Sequence, residues 1–161
     1  MLRTFLLLLF LLTGLYSQES KPKQLLAPEA TLGVLDSIKS EAIVLGHGKK
    51  EVHAFIDPLC SLSQRYLQFL YAEQDRMFAK YTLYLYLYEL PRKHSAGHIR
   101  TILASKMPDI ALKSLMVNGD DLMLETVESP QIEARIRHIS EAAEKIGVYK
   151  RPYIIINGKA K

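Results

Sequence analysis

The sequence predicts an α/β domain in which a mixed sheet carries helices on its faces. Three observations lead there. Short apolar runs of strand length alternate with amphipathic helical stretches along most of the chain. Residues 81–88 alternate leucine with tyrosine, the pattern of a strand covered on both sides. Proline, glycine and Asn-Gly pairs punctuate the boundaries between these runs. No internal repeat and no second domain is visible.

The chain has 161 residues, 48% of them hydrophobic, a formal charge of +4 and one cysteine. A chain of about this length buries roughly 70% of its unfolded surface, enough for one core. The balance excludes a disordered tail, a collagen-like repeat and a polytopic membrane protein. No run of Lys and Arg exceeds two residues, so nucleic acid is not an expected partner. A single cysteine excludes a disulfide within the chain.

Arg3 gives the start a positive charge, and residues 5–12 form an unbroken apolar run extended by Gly14, Leu15 and Tyr16. That is shorter than the ~20 residues a spanning helix needs. It fits a secretory signal peptide over residues 1–17, with Ser17 as the small residue before the cut and Leu15 larger than usual two places earlier. The mature protein is therefore expected in the periplasm or outside the cell, where a lone thiol meets oxidants. An uncleaved leader serving as an anchor is the competing expectation.

Residues 18–40 are expected to be a linker and a helix. Pro28-Glu29-Ala30 opens the helix, with Leu32, Leu35 and Ile38 on one face. Residues 42–45 and 52–56 are short strands, and the turn Gly46-His47-Gly48 between them predicts a hairpin, with His53 on its surface. Asp57-Pro58 ends the second strand, because proline cannot donate to a ladder and steers the preceding residue away from helical angles. From 60 to about 79 the pattern is helical, with Leu62, Tyr66, Phe69 and Leu70 as its apolar stripe. The third strand, 81–88, leads to a polar loop at 91–97. Two short helices follow at 99–106 and 109–116, divided by Met107-Pro108, the second capped by Asn118-Gly119. Ser129-Pro130 starts a long helix with Ile132, Ile136, Ile139 and Ala143 as its stripe, and Gly147 ends it. Residues 151–156 form a last strand that runs into the Asn157-Gly158 turn.

Cys60 is the residue with chemistry. It follows a strand and an Asp-Pro turn and opens an amphipathic helix. The first N–H groups of a helix lack intrahelical partners and carry roughly half a positive charge, which favours a thiolate. Sulfur exchange needs that setting, because the thiolate is the attacking species. On the residues alone, Cys60 is equally readable as a small apolar residue left from a lost pair. His94 and His98 have the i, i+4 spacing of helical metal ligands, but no third His or carboxylate lies close in sequence, so neither a metal nor a cofactor is expected.

The strand at 52–56, the stretch Asp57-Pro58-Leu59-Cys60-Ser61-Leu62-Ser63 and the helix after it resemble the active-site segment of the thioredoxin fold. The flavour is that of periplasmic disulfide isomerases of the DsbC/DsbG type, whose loop ends in Cys-x-x-Cys on the helix. Arg151-Pro152-Tyr153 and the strand it opens resemble the cis-proline strand of that family. The resemblance covers 41–161 and implies a thioredoxin-like mixed sheet with flanking helices, with 99–118 as a helical insertion. It implies Cys60 as the nucleophile, and Arg151 and Pro152 beside it as substrate-binding residues that hold a substrate chain by backbone pairing. The Arg151 charge would there favour the thiolate or an anionic substrate group, and a solvated surface arginine is the equal alternative.

Two departures from the family stand out. Ser63 replaces the second cysteine, so a mixed disulfide on Cys60 has no resolving thiol in its own loop; the Ser63 hydroxyl is a candidate donor to the Cys60 thiolate. The family continues past the cis-proline strand with a strand and a helix that do not follow here before Lys161. The expectation is either a truncated fragment or a domain without them, and the latter predicts an exposed sheet edge or a partner covering it. The expected function is thiol–disulfide exchange or isomerisation on protein substrates through a monothiol centre, with an external redox partner. The alternatives are a non-catalytic thioredoxin-fold binding module and a chaperone-like homodimer.

Overall fold

The computed structural model describes residues 24–126 and 128–161. The leader and the first part of the linker expected at 18–40 lie outside the described residues. Helix α1 (Pro28–Ser37) precedes strands β1 (Ile43–Leu45) and β2 (Lys50–Ile56). Helices α2 (Ser61–Ala72) and α3 (Gln74–Lys80) lead to β3 (Tyr81–Leu87). Helices α4 (Ala96–Ala104), α5 (Pro108–Lys113) and α6 (Pro130–Ile146) precede β4 (Tyr153–Ile156) and β5 (Lys159–Ala160).

The five strands form one mixed sheet in the order β1-β3-β2-β4-β5. Strand β3 is parallel to β2 and antiparallel to β1, while β4 is antiparallel to both β2 and β5. Side-chain alternation splits the core between the two faces. Val52, Ala54, Ile56, Leu83, Leu85 and Leu87 pack on Leu67 and Leu70 of α2 and on Ile99, Ile102 and Leu112 of α4 and α5. Phe55, Tyr86, Tyr153 and Ile155 pack on Leu35 of α1 and on Ile139, Ala143 and Ile146 of α6. The leucine face and the tyrosine face of β3 are thus both covered, as the alternation predicts.

The hairpin expected between β1 and β2 does not form; the two strands flank β3. The connecting residues cross the start of β3 at very close range. His47 N–H donates to Phe78 O (2.9 Å), Gly48 N–H donates to Tyr81 O (3.2 Å), and the Thr82 hydroxyl donates to Gly48 O (2.7 Å). A Cβ on Gly48 would lie 2.0 Å from the Lys80 carbonyl carbon, so only glycine permits the crossing. The Gly-His-Gly run that suggests a tight turn is a bridge over the neighbouring strand.

The helix stripe is also rotated. Ser63, Leu67 and Leu70 are the buried residues of α2, while Leu62 and Phe69 are 55% and 52% exposed. The sheet edge expected to be bare has a short fifth strand, made by the Asn157-Gly158 turn, both of whose residues have positive φ. Gln24 then covers that turn: its amide nitrogen donates to Gly158 O (2.7 Å), and its amide oxygen accepts from Ala160 N–H (2.8 Å).

Candidate functional site

Strand directions bring three distant segments to one place. Because β3 runs parallel to β2 with Ile56 opposite Leu87, residues 88–90 leave the sheet beside residue 57. Because β4 runs antiparallel with Phe55 opposite Tyr153, residues 151 and 152 arrive at the same end. Tyr88 N–H donates to Ile56 O (2.9 Å) and holds the first of these segments against β2.

Cys60 sits at the N-cap of α2, with extended backbone angles and a side chain that makes no cap hydrogen bond. Its carbonyl accepts from Gln64 N–H (2.9 Å), and its own N–H donates to Asp57 O (3.1 Å). Only 5% of Cys60 is exposed. Its Sγ lies 3.6 Å from the carbonyl oxygen of Arg151, to which the thiol donates. The Arg151–Pro152 peptide bond is cis. Cys60 is therefore a neighbour in space of the Arg151–Pro152 segment, which begins 91 positions further along the chain.

Ser63 lies on the first turn of α2, fully buried, and its Oγ accepts from Asp57 N–H (3.3 Å). That bond uses an oxygen lone pair and leaves the hydroxyl proton available. Arg151 is buried as well. Its Nε donates to Tyr88 O (2.9 Å) and one terminal nitrogen to Glu89 O (2.8 Å), with the guanidinium 3.7 Å above the Tyr88 ring. Burial lowers its pKa from the ordinary arginine value, offset in part by the nearby Tyr88, Asp57 and Cys60. The guanidinium is thus spent on main-chain carbonyls, and what faces Cys60 from this residue is its backbone.

Asp57, read in the sequence only as a strand stop, is the hub of the region. It has no exposed surface, and its Oδ1 accepts from Leu59 N–H (2.8 Å). Its Oδ2 accepts from Leu90 N–H and from the Ser95 hydroxyl (2.8 Å), the latter at the N-cap of α4. Two of those partners are more than thirty residues away, so no local pattern announces them.

His94 adopts left-handed backbone angles before α4 and His98 lies within it, and no group of three His, Cys, Asp or Glu among the described residues is placed to hold a metal. His53 is not a surface residue: it is 3% exposed, with Nδ1 at 3.0 Å from the Tyr86 hydroxyl and its ring stacked on Tyr84.

A strand leading to a helix-capping cysteine, faced by an X-Pro segment that opens an antiparallel strand, defines a thioredoxin-like fold. Solved structures bear this out. The chain is similar to a disulfide interchange protein from Neisseria gonorrhoeae, with a TM-score of 0.60 and 19% identity over 76% of this chain and 84% of that one. It is similar to ScsC of Proteus mirabilis in a compact conformation, with a TM-score of 0.67 and 15% identity over 86% and 73% of the two chains. It is also similar to a periplasmic thioredoxin-like protein from Salmonella enterica serovar Typhimurium, with a TM-score of 0.57 and 15% identity over 81% and 86%. No protein-family model and no curated protein matches the sequence. No helix among the described residues is long and apolar enough to cross a membrane.

Proposed function

We propose that this chain is an exported thioredoxin-fold protein that carries out thiol–disulfide exchange or isomerisation on protein substrates through the single thiol of Cys60. The observation that carries the reading is the seat of that thiol: the N-cap of α2, with Sγ 3.6 Å from the main chain of the Arg151-Pro152 segment. The Cys60 thiolate attacks one sulfur of a substrate disulfide, forming a new S–S bond and releasing the other substrate sulfur as a thiolate. In isomerisation, a second substrate thiolate attacks the mixed disulfide and restores Cys60. In exchange, an external thiolate does so and leaves bonded to the substrate sulfur. The Ser63 hydroxyl is placed one turn into the same helix, where it serves as a donor to the Cys60 sulfur once that is ionised. The main chain at Arg151 and Pro152 pairs with the substrate backbone, the recognition mode of strand addition. The solved structures that carry disulfide-interchange and periplasmic thioredoxin-like names support the assignment to redox work outside the cytoplasm.

The burial of Cys60 and its bond to the Arg151 carbonyl favour one second reading, a binding module that uses the same groove without exchange. One experiment separates the two. The full chain and Cys60→Ala are incubated with oxidised glutathione and with scrambled ribonuclease, followed by intact mass and by recovery of ribonuclease activity. Exchange predicts a mixed disulfide on the native protein alone and faster recovery. No adduct on the folded native protein, together with unassisted recovery, overturns exchange and leaves the binding module.

A further inference from the structure

Two buried charges knit together the segments around Cys60. Arg151 grips residues 88 and 89 by their carbonyls, and Asp57 grips Leu90 by its N–H and Ser95 by its hydroxyl. Cys60 closes the circuit, since its N–H donates to Asp57 O and its thiol donates to Arg151 O. Following the contacts from Cys60 through Asp57, residues 90 to 88 and Arg151 leads back to Cys60. Arg151 makes no ion pair with a carboxylate among the described residues, although it is only 6% exposed. Burying a charge costs several kcal/mol, and apolar replacements of similar volume are often no less stable. Filling space is therefore a poor reason for either residue.

We propose that Asp57 and Arg151 are opposed positioning residues for Cys60: the cysteine's N–H meets the main chain of the first and its thiol that of the second, so that a negatively and a positively charged residue bracket it and fix its sulfur against residues 151 and 152. This deepens the reading of Cys60 as the reacting group and rests on it. Glu89, the acidic residue of the bridging segment, accepts from Ala96 N–H through its carboxylate (3.2 Å).

The test compares carboxymethylation of Cys60 by iodoacetate, an anion, with alkylation by neutral iodoacetamide, in the full chain at low ionic strength. The ratio of the two rates cancels thiol ionisation and access, and reports the local potential. Asp57→Asn raises the ratio and Arg151→Met lowers it, each on the order of threefold, and the double variant returns towards the native ratio. Loosened structure alone would move both single variants in the same direction. Ratios that shift the same way, or that stay fixed in folded variants, overturn the proposal. Should either variant fail to fold by circular dichroism, Ser95→Ala and Arg151→Lys keep both charges while weakening the grip, because lysine lacks the planar fork. They then speed iodoacetamide alkylation by about threefold or more at an unchanged ratio, and an unchanged rate overturns the positioning role. Alkylation needs no disulfide chemistry. Opposite-signed ratios alongside absent mixed disulfides would remove the exchange function and keep the bracket.

Discussion

His53 illustrates how one residue couples the sheet to pH. It is sealed between Tyr84 and Tyr86, and burial holds its pKa below the ordinary 6.5, with Glu51 partly offsetting that and Lys39 adding to it. The remaining charged group near it is Asp36 on α1. Below pH 6.5 the unfolded chain takes up a proton on this residue that the folded chain refuses. Stability from His53 is therefore complete above that pH and lost as the pH falls towards the lower folded-state value. Urea midpoints measured between pH 7.5 and 5 should fall on acidification, and His53→Gln should flatten the fall; an equal slope in both proteins would refute the assignment. The sequence placed this histidine on a surface because strand alternation does not tell which face a helix will cover. Cys60 at a helix start was legible, since a strand, an Asp-Pro stop and a helix start are local signals, whereas the place of Pro152 beside it came only from the family resemblance. The anchoring roles of Asp57 and Arg151 were not, because their partners come from the far end of a parallel strand.

At the scale of elements, Ser129 and Gly48 make the sharpest cases. Ser129 caps α6 by accepting from Ile132 N–H (3.4 Å), as its Ser-Pro start announces. Ser129→Ala should cost about 1 kcal/mol in chemical denaturation. Gly48 supports the crossing over β3, so Gly48→Ala should cost about 1–3 kcal/mol or more by pressing a methyl group into the Lys80–Tyr81 peptide. A near-neutral Gly48→Ala would mean the bridge is looser than its hydrogen bonds indicate. The crossing was hidden in the sequence because Gly-rich turns and close backbone approach call for the same residue. The phase of α2 was hidden for another reason. Apolar side chains occupy both sides of the helix, and the tie between Ser63 and Asp57 N–H turns Leu67 and Leu70 inward, leaving Leu62 and Phe69 outside.

For the molecule as a whole, the mixed α/β sheet followed from the order of strands and helices and its thioredoxin-like form from the family resemblance around Cys60 and Pro152, while the treatment of its edge followed from neither. Gln24 reaches across 134 residues to the β4–β5 turn, and Leu25 N–H donates to Ile146 O (3.1 Å) at the end of α6. Segment 24–26 thereby covers what a longer edge strand would otherwise protect. Gln24→Ala should lower stability by roughly 1–2 kcal/mol and raise hydrogen exchange at the Ala160 amide. Unchanged exchange there would show that the β4–β5 turn closes the edge unaided.

Since a single amide side chain spans residues 24 and 160, a few linking residues suffice to join residue 161 to residue 24. The polypeptide is then free to be opened elsewhere, for instance between the exposed Met123 and Leu124. Such a circular permutant should keep its tertiary circular-dichroism signal, and it would offer attachment points far in sequence from the sulfur.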